Sequence, residues 1–348
     1  MTNETTPGTA DQTALAREAG ETATVARKQI ERNRDAFTEL GERLRRNPPR
    51  FVTTCARGSS NHASTYGKYL IETHAGRAVA PIGPSIASVY HAPLDLRESL
   101  FIAVSQSGRS PDLLKLTETA KSGGAYTVAF VNDEASPLIE MCDFAIPLSA
   151  GPETSVAATK SYILSGLAYL QLIAYWQQSE ELLQAALELP RFLEEARTLD
   201  WSSHLETLQK AVNLYVVSRG IGLGIGSEIA LKLKEVCGIH AEAFGSAEVI
   251  HGPLALVGPD FPVILLGQND KTEASVTETG KRFIGLGAKV LSTVKLDGAD
   301  ILPTVTAPGI IAPLCQLQSF YMAVSGLARA RGFDPDKPPH LRKVTETI

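Results

Sequence analysis

Three groups of residues could do chemistry in this chain of 348 residues. The first is the stretch 100–116, LFIAVSQSGRSPDLLKL. There an apolar, strand-like run meets Ser105, Gln106, Ser107 and Gly108, and a helix then starts with Ser110 as N-cap, Pro111 at N1 and Asp112 in its first turn. Free backbone N–H groups at such a start, the positive end of the helix dipole, three hydroxyls and one amide form a cradle for a dianion such as a phosphate monoester. A capped helix after a polar turn satisfies the same local grammar. Gly108 and the density of small hydroxyl residues favour the ligand, because they let a phosphate approach the backbone. The second group, Arg57-Gly58-Ser59-Ser60-Asn61, follows an earlier β-rich run. Loops at the carboxyl ends of neighbouring parallel strands converge on one crevice, so two serine-rich loops could hold two parts of one small ligand. Neither loop resembles GxxxxGK[ST], and no acidic cluster suits magnesium, which argues against a nucleoside triphosphate.

The third group lies further on, where Glu228, Lys232 and Glu235 fall at i, i+4 and i+7 on one helix face. A solvated ion-pair stripe is the ordinary meaning of that pattern. The neighbourhood points elsewhere, because His240, Glu242, Glu248 and His251 follow at once. Carboxylates and imidazoles near a sugar-phosphate cradle are what proton transfer between carbon atoms requires. Composition leaves open which histidine acts. The run Gly220-Ile221-Gly222-Leu223-Gly224-Ile225-Gly226 admits no GxGxxG and has no ribose-binding acid about 20 residues on, so it reads as tight strand-to-helix packing. Cys237-Gly238-Ile239-His240 lacks a second ligand pair, so no metal site is expected.

These groups need a scaffold, and the hydrophobic pattern supplies one. Strand-like runs at Phe51-Val52-Thr53-Thr54, Leu100 to Val104, Tyr126 to Val131, Leu214 to Ser218, Pro262 to Leu266 and Lys289 to Thr293 alternate with amphipathic helical stretches. That is the pattern of an α/β chain with parallel sheets flanked by helices. Arg57-Gly58 after the first strand is matched by Arg219-Gly220, 162 residues on, and Gly124-Ala125 by Gly287-Ala288, 163 residues on. Two similar halves of about 140 residues account for both matches. The expected division is a helical leader over 1–48 ending at Asn47-Pro48-Pro49, a first domain over 49–198 with the cradle, a second over 199–335 with the acid-base residues, and a proline-rich tail over 336–348. Helices are expected over Thr159 to Gln178 and Glu180 to Leu199, the latter broken near Pro190.

Composition sets the limits. With 44% hydrophobic and 20% charged residues the chain is an ordinary globular one, and 33 Lys plus Arg against 38 Asp plus Glu, a net of -5, argue against a nucleic-acid or membrane-surface binder. No apolar run approaches the roughly 18 residues of a spanning helix, and the start MTNETTPGTA has no secretory character, so a cytoplasmic location is the expectation. Cys55, Cys142, Cys237 and Cys315 are too scattered for a disulfide framework and read as small buried hydrophobes.

In order along the chain, CARGSSN, AVSQSGRSPDLL, AGPETSVAATKSY, ALKLKEVCGIHAEAFGSAEVIHGPLALV and LRKVTETI resemble a tandem sugar-isomerase (SIS) protein over about residues 50–348. The similarity is to the isomerase half of glucosamine-6-phosphate synthase and to stand-alone SIS deaminases. It implies two flavodoxin-like domains, a homodimer and a hexose 6-phosphate site built mainly on the first domain. Phosphate binding falls to Ser105, Gln106, Ser107 and Ser110, and sugar contacts to Ser60, the backbone around Val156, Lys232 and Arg342. Glu235 becomes the base between C1 and C2. His251, supplied by the neighbouring subunit, becomes the ring opener, and Lys343 the tail lysine that forms an imine in the synthase or only orients the open chain here. Ala158 replaces a hydroxyl residue of the synthase and Arg109 an acid. With the sequence starting at Met1-Thr2 and its first strand expected at Phe51, no glutamine-hydrolysing domain is expected. The implied reaction is glucosamine 6-phosphate plus water to fructose 6-phosphate plus ammonia. No metal or redox cofactor is expected, because imine and enolamine stabilise the charge. A galactosamine 6-phosphate deaminase, a fructosamine-phosphate deglycase and a non-catalytic sugar-phosphate sensor are the alternatives.

Overall fold

The computed structural model describes residues 12–343. Strands β1 (Phe51–Cys55), β2 (Val79–Pro81), β3 (Ser99–Ser105), β4 (Tyr126–Val131) and β5 (Phe144–Pro147) form one parallel sheet in the order β2-β1-β3-β4-β5. Strands β6 (Asn213–Ser218), β7 (His240–Gly245), β8 (Pro262–Leu265), β9 (Lys289–Ser292) and β10 (Asp300–Ile301) form a second, ordered β10-β9-β8-β6-β7. Taken from its other edge, the second sheet has the winding of the first, which is the flavodoxin-like order. The internal echo in the sequence is therefore a duplicated α/β unit.

Parallel strands covered on both faces need continuous apolar runs, and all six strands expected from such runs are present. The four strands not anticipated, β2, β5, β7 and β10, are the edges of the two sheets. Edge strands are half-exposed, so their sequences carry little apolar signal. In β7 the residues His240 and Glu242 face solvent.

The helices are α1 (Ala14–Gly20), α2 (Thr22–Arg46), α3 (Gly58–Leu70), α4 (Ser85–Ser88), α5 (Pro111–Ser122), α6 (Pro137–Met141), α7 (Lys160–Gln177), α8 (Glu180–Ala196), α9 (Ser202–Leu205), α10 (Leu223–Cys237), α11 (Glu273–Gly285) and α12 (Ala312–Ala330). Helix α7 buries 16 of its 18 residues and forms the centre about which α2, α3 and α8 pack. Helix α8 is not broken at Pro190. The cost of an interior proline, a lost hydrogen bond and a ring clash together worth about 3 kcal/mol, is outweighed by burial of Leu189, Pro190, Phe192 and Leu193. The leader is no appendage, since α2 places Phe37, Leu40 and Leu44 in the main core while α1 lies on α12 of the second half. From 332 to 343 the proline-rich tail has no helix or strand, and its last five residues lie outside the described residues.

The glycine-rich run serves a closer contact than strand-to-helix packing. A Cβ at Gly224 would lie 2.6 Å from the His62 carbonyl oxygen and 2.9 Å from the Tyr66 nitrogen, both on α3. Helix α10 of the second half therefore touches the backbone of α3 of the first. This approach carries the Glu228 face of α10 to the start of α3.

Candidate active site

A cleft of about 220 Å³ opens at the carboxyl ends of β1 and β3. That is the point in the sheet order where the winding reverses, the usual ligand position in such a fold. Register places the two strands side by side, Cys55 opposite Ala103, so the loops that leave them face one another. One wall is Arg57 to Ser60 at the start of α3, and a second is Ser105, Gln106, Ser107 and Ser110 before α5. Val156 and Ala158 line a third side, Glu235 reaches in from α10, and Arg342 and Lys343 close the cleft from the tail.

The serine hydroxyls and the Gln106 amide line the cleft, but the start of α5 offers fewer free N–H groups than expected, since Pro111 has none, the Leu113 N–H is bonded to Asp112 Oδ1 at 2.8 Å and the Leu114 N–H to the Ser110 carbonyl at 3.1 Å. Ser110 stands at the N-cap of α5 but its hydroxyl makes no capping bond, which leaves it available to a ligand. The Ser105 hydroxyl accepts the Gly108 N–H at 2.9 Å and so sets the loop. Asp112, with its side chain buried in the first turn of α5, would repel a dianion. Arg57 offsets it, donating through Nε at 3.1 Å and Nη2 at 2.6 Å while lining the cleft. Gly108 plays a different part from the expected one. Its φ is +62° and a Cβ would lie 2.4 Å from Ser136 Oγ and 2.9 Å from Val131 Cγ2 on β4, so it is required by the turn and by packing, outside the cleft.

In the second half the matching loop is closed by its own side-chain hydrogen bonds. Asp270 Oδ1 accepts the Thr272 N–H at 2.7 Å and the Thr272 hydroxyl at 2.5 Å just before α11. Gln268, opposite Ser105 in the duplication, donates to Asp270 at 3.2 Å and to the Arg219 carbonyl at 2.9 Å.

The helix-face stripe is buried, contrary to the ordinary meaning of its spacing. Glu228 and Lys232 have no exposed side-chain surface, and Glu235 keeps 20%. Lys232 Nζ lies 3.2 Å from Glu228 Oε1 and 2.5 Å from Glu235 Oε2, and donates to Ser59 Oγ at 3.1 Å. Glu228 also accepts from the Ser59 hydroxyl at 3.0 Å and the Tyr321 hydroxyl at 2.9 Å, and meets His62 Nδ1 at 3.2 Å. Burial alone would raise the Glu228 pKa, but the Lys232 ammonium, His62 and Tyr321 outweigh it and hold the carboxyl below its usual range. Burial likewise opposes charge on Lys232, and the two carboxylates reverse that and raise its pKa. Lys232 therefore does not line the cleft; it lies beneath Glu235 and holds that carboxylate at the rim. His62 and Tyr321 went unnoticed in the sequence, because nothing local marks them as partners of Glu228.

Lys343 donates to the Ser155 carbonyl at 2.7 Å and to Glu153 Oε2 at 3.3 Å. Glu153 is buried and accepts the Thr159 N–H at 3.0 Å, the Ser161 N–H at 3.2 Å and the Ser161 hydroxyl at 2.6 Å. Burial pushes its pKa up, but Lys343 and these donors more than compensate and keep it low. Arg109 turns away from the cleft to Asp133, at 3.0 Å, and the Ala135 carbonyl, at 2.9 Å.

His240, Glu242, Glu248 and His251 are exposed and outside the cleft. His251 sits on the turn between β7 and β8, beside the exposed Ile250 and Leu256. The four cysteines are free and buried, and burial pushes the thiols of Cys55, Cys142 and Cys237 up to about 12. Among the described residues no three His, Cys, Asp or Glu side chains are grouped to hold a metal, and no helix is long and apolar enough to cross a membrane.

The SIS domain profile matches residues 50–175 and 207–296, one segment on each sheet. The chain belongs to the SIS domain family. It is a tandem SIS protein. It is 34% identical over 339 residues to glutamine--fructose-6-phosphate aminotransferase [isomerizing] of Thermotoga maritima, covering 90% of this chain and 55% of that one. The chain thus spans about half the length of that relative. A crystal structure from Silicibacter pomeroyi DSS-3, provisionally named a phosphosugar isomerase, superposes with a TM-score of 0.89 at 39% identity, over 93% of this chain and all of the other. The fold is also that of glucosamine-6-phosphate deaminase from Thermotoga maritima, with a TM-score of 0.78 at 22% identity, over 96% of this chain and 100% of that one.

Proposed function

We propose that this SIS protein is an aldose-ketose isomerase and deaminase of amino-sugar phosphates, converting glucosamine 6-phosphate and water to fructose 6-phosphate and ammonia. The observation that carries the reading is one cleft with a dianion cradle on one wall and a carboxylate, Glu235, on another. Isomerisation at C1 and C2 of a hexose 6-phosphate needs that pair, because the phosphate anchors the far end of the substrate and the base acts at the near end. The names of the Thermotoga aminotransferase and of the Silicibacter structure support a phosphosugar substrate.

In this mechanism Ser105, Gln106, Ser107 and Ser110 hold the phosphate through their side chains, and Ser60, the Val156 backbone and Arg342 orient the sugar. Ring opening moves the O1 proton to the ring oxygen through His251 of a neighbouring subunit in a homodimer. Glu235 takes the C2 proton to give the enolamine and returns it to C1, which leaves an imine at C2. Water adds to C2 and ammonia leaves. Lys232, held between Glu228 and Glu235, keeps the base aligned, and Lys343 orients the open chain. Each step conserves electrons within the substrate.

The deciding assay is ammonia release from glucosamine 6-phosphate without glutamine. Stoichiometric ammonia and fructose 6-phosphate are expected. Release only from galactosamine 6-phosphate or from a fructosyl-amine phosphate would overturn the substrate assignment, and tight binding of hexose 6-phosphates without turnover would overturn catalysis.

A further inference from the structure

The leader helix α1 touches both the 154–155 loop and the tail beside the cleft without entering it. Glu18 on α1 is only 2% exposed. Its Oε1 accepts the Thr154 N–H at 2.6 Å and the Thr154 hydroxyl at 2.7 Å, and its Oε2 accepts the Ser155 N–H at 3.2 Å. The carbonyl of Ser155 is the acceptor that holds Lys343, and the next residue, Val156, lines the cleft. At its other end α1 is tied to the tail, where Asp336 accepts the Ala14 N–H at 2.7 Å and the Leu15 N–H at 2.9 Å. The helix itself is fixed to α12 by the Thr13 and Ser325 hydroxyls at 3.0 Å and by Gln318, which donates to the Ala19 carbonyl at 2.9 Å.

A buried carboxylate is a costly way to fill space, since its desolvation is recovered only if every donor around it is well placed. Packing against α12 would be served as well by an apolar side chain. What a carboxylate adds is direction, because it fixes two successive backbone N–H groups of the 154–155 loop and so aims the Ser155 carbonyl at the tail. Asp336 fixes the tail from the opposite side, seven residues before Lys343. We infer that α1 is a clasp, with Glu18 and Asp336 as positioning residues that hold Lys343 and the sugar-facing loop in the closed cleft. Neither residue touches the substrate. The inference rests on the reading of the cleft as a hexose 6-phosphate site only for its effect on ligand binding.

The full-length chain tests it with Glu18→Gln, Asp336→Asn, Lys343→Met and the pairs of each carboxylate change with Lys343→Met. Three quantities are read: trypsin cleavage after Arg342, fructose 6-phosphate affinity by calorimetry, and the thermal midpoint as a control for folding. Loss of one charged hydrogen-bonding group should speed tail cleavage and weaken sugar-phosphate binding, each by about tenfold. Because Asp336 acts through Lys343, Asp336→Asn should not weaken binding further once Lys343→Met is present, and Glu18→Gln, which also releases the loop before Val156, should then cost less than it does alone. A folded Glu18→Gln chain cleaved at the wild-type rate overturns the clasp, as does additive loss with Lys343→Met. Should Glu18→Gln fail to fold, the more peripheral Asp336→Asn decides by the same criteria. Faster cleavage in the variants of a wild-type chain that binds no hexose 6-phosphate upholds the clasp and refutes the sugar-phosphate reading.

Discussion

Replacing Lys232 by methionine keeps the volume and stem of the side chain and removes one buried charge. It leaves Glu228, with no exposed surface, facing an apolar methyl where an ammonium stood 3.2 Å away. At that distance, with an effective dielectric of about 20, the lost attraction is about 5 kcal/mol. The Ser59, Tyr321 and His62 contacts to Glu228 remain. They place the net cost toward the lower end of the about 3–5 kcal/mol seen when one member of a buried pair is removed. The pH dependence gives the mechanism away. In the wild type the Glu228 pKa is depressed, so its stabilisation is present above the ordinary carboxylate value and is lost as pH falls through the folded value. In Lys232→Met burial dominates, the folded pKa rises, and the variant is penalised increasingly as pH rises. Urea unfolding at about pH 5 and about pH 7 should therefore show a larger gap between the two proteins at the higher pH, with m unchanged. Adding Glu228→Gln to Lys232→Met should recover at least half of the loss, because the uncompensated charge is gone. A gap below about 1 kcal/mol, the range of exposed pairs, would refute the reasoning, as would a gap independent of pH.

Ser110→Ala should raise KM for glucosamine 6-phosphate about tenfold with kcat little changed, because one charge-assisted bond to the phosphate is lost equally in ground and transition states. Steady-state kinetics check this, and a fall in kcat alone would remove Ser110 from the phosphate site. His251 and Glu235 should complement across subunits. Separately inactive His251→Asn and Glu235→Gln chains, unfolded and refolded together at equal ratio, should regain about a quarter of wild-type activity, since half the dimers then carry one intact site. No recovery on mixing would place His251 in the same subunit's site or outside the reaction.

The sequence was legible where structure is local or periodic. Continuous apolar runs marked the six central strands, and the cradle could be seen at Ser105 to Ser110 because capping grammar and hydroxyl density sit within six residues. The four edge strands were not legible, since a strand paired on one side needs no continuous apolar run. The stripe on α10 was legible as a pattern but not as a buried network. Its burial depends on α3 of the other half, which Gly224 allows to within backbone contact, and no spacing along one helix reports what covers it. Pro190 misled for a related reason, because the packing of Leu189 and Phe192 lies outside local propensity. Glu18 and Glu153 were silent altogether, as lone carboxylates whose partners Thr154 and Lys343 lie 136 and 190 residues away. The roles of His251 and Lys343 entered through family resemblance alone.

The central claim is that Glu235 carries a proton between C1 and C2 of a sugar held by its phosphate. Incubation of fructose 6-phosphate with the protein in deuterium oxide, read by proton NMR at C1, tests it most directly. Wild type should exchange C1 hydrogen with solvent, while Glu235→Gln should bind the sugar phosphate with affinity within about threefold of wild type, as expected for a group that acts in the transition state, and exchange none. Exchange by Glu235→Gln at the wild-type rate would contradict the account.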